Sequence, residues 1–147
     1  MILRRAVPAD VPAIAALYRA SQWANLPTLP DIHTREEDLA FFGGQMLPNQ
    51  TVWVIEDGQG GLAAYAAGVE GRLNHLFVHP DAQGRGHGSR LLERFRADVA
   101  VLDLWTFQQN LRARAFYERK GFVAVEFTDG EGNEEKTPDV RYEWRPR

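Results

Sequence analysis

The apolar positions of the chain follow two different periods, and the switches between them mark out the elements. Residues 2–5 read as a short first strand. Pro8, Asp10 and Pro12 then open a helix to about Ser21, with Ile14, Leu17 and Tyr18 at helical spacing. Residues 22–33 contain Trp23, Pro27 and Pro30 and show little periodicity, so they read as a loop with aromatic content. Thr34 followed by Glu37 has the form of a capping box for a second helix through Leu39, Phe41 and Phe42, weakened at Gly43 and Gly44. The period then drops to two. Residues 51–55 alternate β-branched and aromatic side chains, Asp57-Gly58 and Gly60-Gly61 make a turn, and residues 62–69 return. A third run, residues 73–78, follows the Glu70-Gly71 break, which predicts an antiparallel meander.

After His79-Pro80 the helical period resumes from about Gly88, with Leu91, Phe95 and Val99 at intervals of four. Residues 103–107 form the next strand. Asn110 caps a further helix whose Ala113, Phe116 and Tyr117 share a face and whose end is marked by Arg119, Lys120 and Gly121. Strands at 122–127 and 140–144 flank a polar hairpin that contains Asp129-Gly130 and Gly132-Asn133. The order is strand, two helices, three strands, helix, strand, helix, two strands. No repeat, low-complexity tract or long linker divides residues 1–147, so one domain is expected.

Composition narrows the chemistry. The 147 residues are 44% hydrophobic and 25% charged, a globular balance. The lack of cysteine excludes disulfides, thiolate metal sites and transfer of an acyl group through an enzyme thiol. Of four histidines, His75 and His79 are predicted on one strand, where four residues span about 13 Å, too far for one ion, so no metal is expected. A net charge of −3 argues against a dedicated nucleic-acid binder. The most apolar stretch, residues 62–69, is too short to span a bilayer, and no apolar run follows Arg4 and Arg5. The expectation is a soluble cytoplasmic protein with no membrane and no nucleic-acid partner.

The informative segment runs from Leu73 to Ser89: a strand, then a loop with glycines at 84, 86 and 88, then a helix. Glycines at that spacing let backbone N–H groups of Gln83, Gly84, Arg85, Gly86, His87, Gly88 and Ser89 close on an anion, and the helix N-terminus adds its positive end. By itself such a loop is also a tight turn that needs positive φ. A dinucleotide-binding turn fits poorly, because residues 80–82 separate strand from glycines and Ser89 stands where the third glycine belongs.

The segment resembles the GNAT N-acetyltransferase superfamily, small bacterial single-domain type. That family's signature is Gln or Arg, two residues, Gly, one residue, Gly or Ala, matched by Gln83, Gly86 and Gly88. Its second motif, an Asn before a helix with an aromatic pair ending in Gly-Phe, is matched by Asn110, Phe116, Tyr117, Gly121 and Phe122. The resemblance implies an α+β fold: a mixed, mostly antiparallel sheet of six to seven strands with about four helices and a V-shaped splay between the fourth and fifth strands. It implies acetyl-CoA as acyl donor co-substrate, with no metal. The backbone of Phe77 and Val78 would pair with the pantetheine arm, the loop from Gln83 to Ser89 would hold the pyrophosphate, and Asn110, Phe116 and Tyr117 would complete the cofactor site.

The implied reaction is direct attack of an amine on the thioester. A backbone N–H near Val78 would stabilise the oxyanion and Tyr117 would protonate the leaving sulfur. Glu70 and His75 are the candidates for a base. In this fold the acceptor pocket is built from the loop between the first two helices and the last hairpin, here residues 23–33 and 128–139. Trp23, His33, Asn133 and Glu134 are its candidates, with Phe42, Tyr142 and Trp144 as further aromatic walls. The hairpin carries Asp129, Glu131, Glu134, Glu135 and Asp139 against Lys136, a charge balance suited to a cationic amine or to a solvated hairpin. A small-molecule or peptide amine is the expected acceptor, and a homodimer is expected from the family. The alternatives are a noncatalytic acyl-CoA-binding or sensing module and a nucleotide- or phosphate-binding domain of unrelated fold.

Overall fold

The computed structural model describes residues 1–146. Seven strands, β1 (Leu3–Arg5), β2 (Thr51–Glu56), β3 (Leu62–Val69), β4 (Arg72–Val78), β5 (Leu102–Phe107), β6 (Val123–Phe127) and β7 (Asp139–Trp144), form one sheet in the order β1-β2-β3-β4-β5-β7-β6. Every pairing is antiparallel except β4 with β5. The mixed α+β architecture implied by the family resemblance is the one observed.

The sheet is buried on both faces because β3 is apolar on both. Tyr65 and Ala67 pack with Val52, Val54, Ile14, Leu17 and Phe42 on the side of α1 (Val11–Asn25) and α2 (Arg35–Phe41). Ala64 and Ala66 pack on the other side with Leu91, Leu92 and Phe95 of α4 (His87–Arg96) and Tyr117 of α5 (Leu111–Arg119). Small residues on β3 bring the helices close to the sheet. Sheet and helices make a three-layer arrangement, with a separate apolar cluster on each side.

Several boundaries differ from the sequence reading, each for a local reason. The first helix runs on to Asn25, so Trp23 sits on its last turn and not in a loop; Pro27 stops it by forcing Leu26 out of the helical region, to φ −137° and ψ 62°. The second helix loses its regular α form at Gly43 and Gly44, where the sequence weakens it. It passes through a π-turn, Phe42–Met46, into the short α3 (Leu47–Asn49), held by the buried side chains of Phe42 and Met46. Helix α4 begins at His87 and ends at Arg96, leaving Val99 beyond it, because Ala97 turns extended at ψ 133° and Asp98 then takes a positive φ of 61°. Strand β4 ends at Val78, and His79 caps the following turn by accepting the Asp81 N–H at 3.1 Å. The capping box is present: Thr34 Oγ1 accepts from Glu37 N at 3.1 Å, and Glu37 Oε1 accepts from Thr34 N at 2.8 Å.

Candidate active site

The site begins where two strands part. β4 and β5 pair only at Arg72 with Asp103 and Leu73 with Leu104; beyond these, residues 74–78 have no partner on that side. The anchored end is fastened by Arg72, whose guanidinium donates to Asp103 at 2.8 and 2.7 Å. Parity decides what faces the gap. His79 N–H donates to Ala63 C=O at 2.8 Å, and Val78 is opposite Ala64 with Phe77 opposite Tyr65. Backbone groups alternate along a strand, so residues 75, 77 and 79 turn theirs toward β3 while Leu76 and Val78 turn theirs into the gap. Phe77, predicted to offer its backbone, is therefore committed to β3, and its neighbour Leu76 takes that place beside Val78.

The gap opens into a cleft of about 420 Å³. One wall is the loop into α4. Gly84 and Gly86 have φ of +80° and +82°, conformations that cost a side-chain-bearing residue strain, and a Cβ at either would meet no atom within 4 Å. Gly86 is the N-cap of α4, whose first turn has no acidic residue, so the orphan N–H groups of that turn face the cleft uncancelled. Gly88 admits the other wall: a Cβ there would lie 3.3 Å from the Phe116 ring. Gln83, Gly84, Gly86, His87, Gly88, Ser89, Asn110, Phe116, Tyr117, Phe77 and Val78, all predicted from sequence, line this cleft. Arg85 does not; it is exposed outside it.

Asn110 is chiefly a cap, its Oδ1 accepting the Ala113 N–H at 3.2 Å and fixing the start of α5. That places Tyr117 at the junction of the cleft with a second, narrower cavity. The Tyr117 ring is buried against Phe116, Phe122 and Tyr142, at centroid distances of 5.3, 5.5 and 6.3 Å. Burial pushes the phenol well above its ordinary pKa, so it stays protonated at neutral pH. The sequence did not single out Arg112, Arg119 and Lys120, which add positive charge on the α5 side. Their spacing on the face of Phe116 was the available signal.

The two base candidates fare differently. Glu70 is exposed in the β3–β4 turn, and Val78 lies at the far end of β4, roughly 20 Å away at about 3.3 Å per residue. It lines neither cavity. His75 lines the second cavity but is enclosed by Tyr18, Phe41, Phe42, Tyr65 and Phe77. Desolvation lowers its pKa to about 4, and its Nδ1 is 3.1 Å from the Tyr65 hydroxyl. It is a neutral member of an aromatic cluster, too weak a base for an ammonium ion.

The acceptor-side candidates come together as a clasp. Arg19 binds Asp38 at 2.6 Å, Asp31 at 2.5 Å and the His33 carbonyl at 2.6 Å, which pins the α1–α2 loop. His33 then pairs through Nε2 with Glu134 on the β6–β7 hairpin. Asn133 is internal to that hairpin, donating to Thr137 O at 2.7 Å and accepting from Thr137 N at 3.1 Å. Trp23 stands 79% exposed and lines neither cavity. Phe42 and Tyr142 are buried core residues, and Trp144 packs on Phe122 beneath Arg96, so these three are not pocket walls.

Desolvation lowers the His33 pKa, but the charges of Glu134 and Glu37 outweigh it and the net shift is upward. A raised histidine pKa contributes stability below its unfolded value that is lost as pH rises through the folded one. The stability difference between the wild type and His33→Asn is therefore expected to be largest below the unfolded histidine value of about 6.5 and to shrink as pH rises above it, read as thermal midpoints on either side of that value.

The family model described as acetyltransferase (GNAT) domain matches residues 48–124. The chain belongs to this family. It is similar to the peptidyl-lysine N-acetyltransferase YiaC of Escherichia coli, 30% identical over 126 residues, with 85% of each protein covered. It is also 36% identical over 109 residues to a mycothiol acetyltransferase of Beutenbergia cavernae, but covers only 35% of that longer protein. Among solved structures, the apo form of YjaB from Escherichia coli superposes with a TM-score of 0.80 at 21% identity, covering 98% of both chains. The chain is an acetyl-CoA-dependent N-acetyltransferase. The acetyltransferase has no helix among its described residues long and apolar enough to cross a membrane.

Proposed function

We propose that this acetyltransferase moves the acetyl group of acetyl-CoA to a primary amine of a small molecule or peptide by direct attack, with no acyl-enzyme stage. The observation that carries the reading is the meeting of three features at one junction: the open backbone edge of β4, the free hydroxyl side of Tyr117, and two cavities that share Leu76, Phe77, Asn110 and Tyr117. The residues fit the donor. The loop from Gln83 to Ser89 would hold its pyrophosphate, the edge of Leu76 and Val78 its amide-bearing arm, and Arg112, Arg119 and Lys120 further phosphate charge. When bound, acetyl-CoA supplies an acyl group activated as a thioester.

In the exchange a C–N bond forms and the C–S bond breaks. Val78 N–H points into the gap as a preorganised donor for charge developing on the carbonyl oxygen, a role typically worth about 2.7–4 kcal/mol. Tyr117 holds a proton for the departing sulfur, and the amine releases one to solvent. The relatives named as peptidyl-lysine and mycothiol acetyltransferases favour an amine acceptor in general without choosing between peptide and small molecule.

Calorimetric titration with acetyl-CoA, followed by assay of free thiol with a panel of primary amines, tests the reading. Binding with amine-dependent thiol release is expected. No binding would overturn it, and binding without release from any amine would return the noncatalytic alternative.

A further inference from the structure

Gln22 carries a buried contradiction. Its Nε2 donates to the Tyr18 hydroxyl at 2.7 Å, while its Oε1 is buried without a hydrogen-bond partner among the described residues. A buried carbonyl oxygen left without a donor is costly, and beside a cavity a bound N–H donor would offset that cost. Gln22 lines both cavities, so the side chain that carries this atom borders the place where donor and acceptor substrates would meet.

The second cavity holds about 200 Å³, below the roughly 300–1,000 Å³ of drug-sized sites, which suits a slender alkyl chain. Its walls include Tyr18, Phe77, Trp105 and Phe107, and aromatic faces attract cations. One carboxylate reaches it. Glu135 lines this cavity and not the donor cleft, and its charge is felt at the Tyr18 hydroxyl. Its neighbour Glu134 is engaged by His33, whereas the Glu135 carboxylate has no ion pair or hydrogen bond among the described residues. A half-buried residue whose carboxylate is unpaired, at the edge of a cavity with aromatic walls, has a natural complement in a positive charge.

We propose that this cavity selects acceptors carrying a second positive charge besides the reacting amine: Gln22 Oε1 accepts an N–H of the neutral attacking amine, and Glu135 pairs with the remote cationic group. The division follows from position, since Gln22 is shared with the donor cleft and Glu135 is not. The inference rests on the acyl-transfer reading for the direction of attack, while the preference for a dication is a binding property that can fail or hold separately.

Three amines of one length separate the terms: 1,5-diaminopentane, 5-aminopentan-1-ol and 5-aminopentanoate. Each is assayed by thiol release and, independently, by calorimetric titration of the chain without donor. The diamine is expected to have a KM and Kd roughly 10- to 100-fold below those of the alcohol, the range of one hydrogen bond to a charged group, with the carboxylate weakest. Glu135→Gln should abolish the advantage of the diamine over the alcohol, and Glu135→Lys should favour the carboxylate. Gln22→Leu should lower kcat/KM for all three alike. Retained acetyl-CoA binding shows that each variant is folded. Equal affinity for the three amines, or a diamine preference surviving in Glu135→Gln, overturns the proposal. Absence of thiol release with the charge preference intact in calorimetry overturns the acyl-transfer reading and leaves this one supported.

Discussion

Tyr117→Phe is expected to lower kcat by roughly 10²- to 10⁴-fold, the range for loss of a positioned general acid. The affinity for acetyl-CoA should change less than about threefold, because the substitution removes one oxygen and leaves the ring where it packs. Phe116, Phe122 and Tyr142 surround that ring, and none of them depends on the hydroxyl. The hydroxyl has no hydrogen-bond partner among the described residues, so its loss strands no buried donor or acceptor. A phenol raised by burial remains protonated through the ordinary working range. Ionisation of Tyr117 should accordingly leave no alkaline limb in the wild-type rate profile below about pH 10. Single-turnover thiol release with a saturating amine, measured from acid to alkaline pH, gives the comparison. Turnover equal to wild type at every pH would remove the acid role.

Gly88→Val is expected to weaken acetyl-CoA binding by about 100-fold or more, near 2.7 kcal/mol, while the protein stays folded. The position is cramped from the cleft side. A Cβ would lie 3.3 and 3.4 Å from two Phe116 ring carbons and 3.9 Å from Val78 Cγ2, and the branches of valine would extend further between the two walls. Gly88 lies inside α4, where valine is no worse a helix former than glycine, so little folding energy is lost. Gly86→Ala provides the contrast. It forces a φ of +82° on a side-chain-bearing residue, at roughly 1–2 kcal/mol, yet adds no contact within 4 Å. The first variant should therefore lose binding with its thermal midpoint nearly kept, and the second should lose stability more than binding. Calorimetry and thermal melts of the two variants separate the effects.

The donor side of this enzyme was legible along the chain because it is local. Strand, glycine loop and helix follow one another within residues 73–89, and backbone N–H groups bind an anion whatever the rest of the fold does. Periodicity was enough to put Phe116 and Tyr117 on an apolar face of their helix. It also put Val99 on a helix that had already ended, because spacing by four continues to look helical past Ala97, whose extended ψ of 133° ends the helix before Asp98 takes its positive φ. Trp23 was misplaced for the opposite reason. Its apolar neighbours are few, but no breaker precedes Pro27, and the helix runs until one does.

The cavity proposed for the acceptor was less legible, its two segments expected only by resemblance to the family, because it is assembled from places distant in sequence. Glu135 is one of five acidic residues between 129 and 139, and nothing along the chain distinguishes it from the others. Only the folded hairpin assigns Glu134 to His33, across 101 residues, and leaves Glu135 facing the cavity. Gln22 likewise looked like the first residue of a loop. In place on the last turns of α1 it becomes a buried oxygen at the junction of two cavities. His75 shows the reverse: its ordinary pKa suits a base, and the burial that removes that capacity is contributed by residues 18, 41, 42, 65 and 77.

By itself the sequence determined the order of elements, the glycine loop ahead of a helix and the absence of thiol chemistry, since each depends on residue type or on spacing within one or two elements, whereas Tyr117 was singled out by resemblance to the family. The tertiary structure alone decided that Leu76 and Val78 present their backbone to the gap in place of Phe77, that Glu70 is remote, and that Gln22 and Glu135 line the second cavity. Those outcomes depend on strand parity and on burial, and both are set by partners that the chain meets only when it folds.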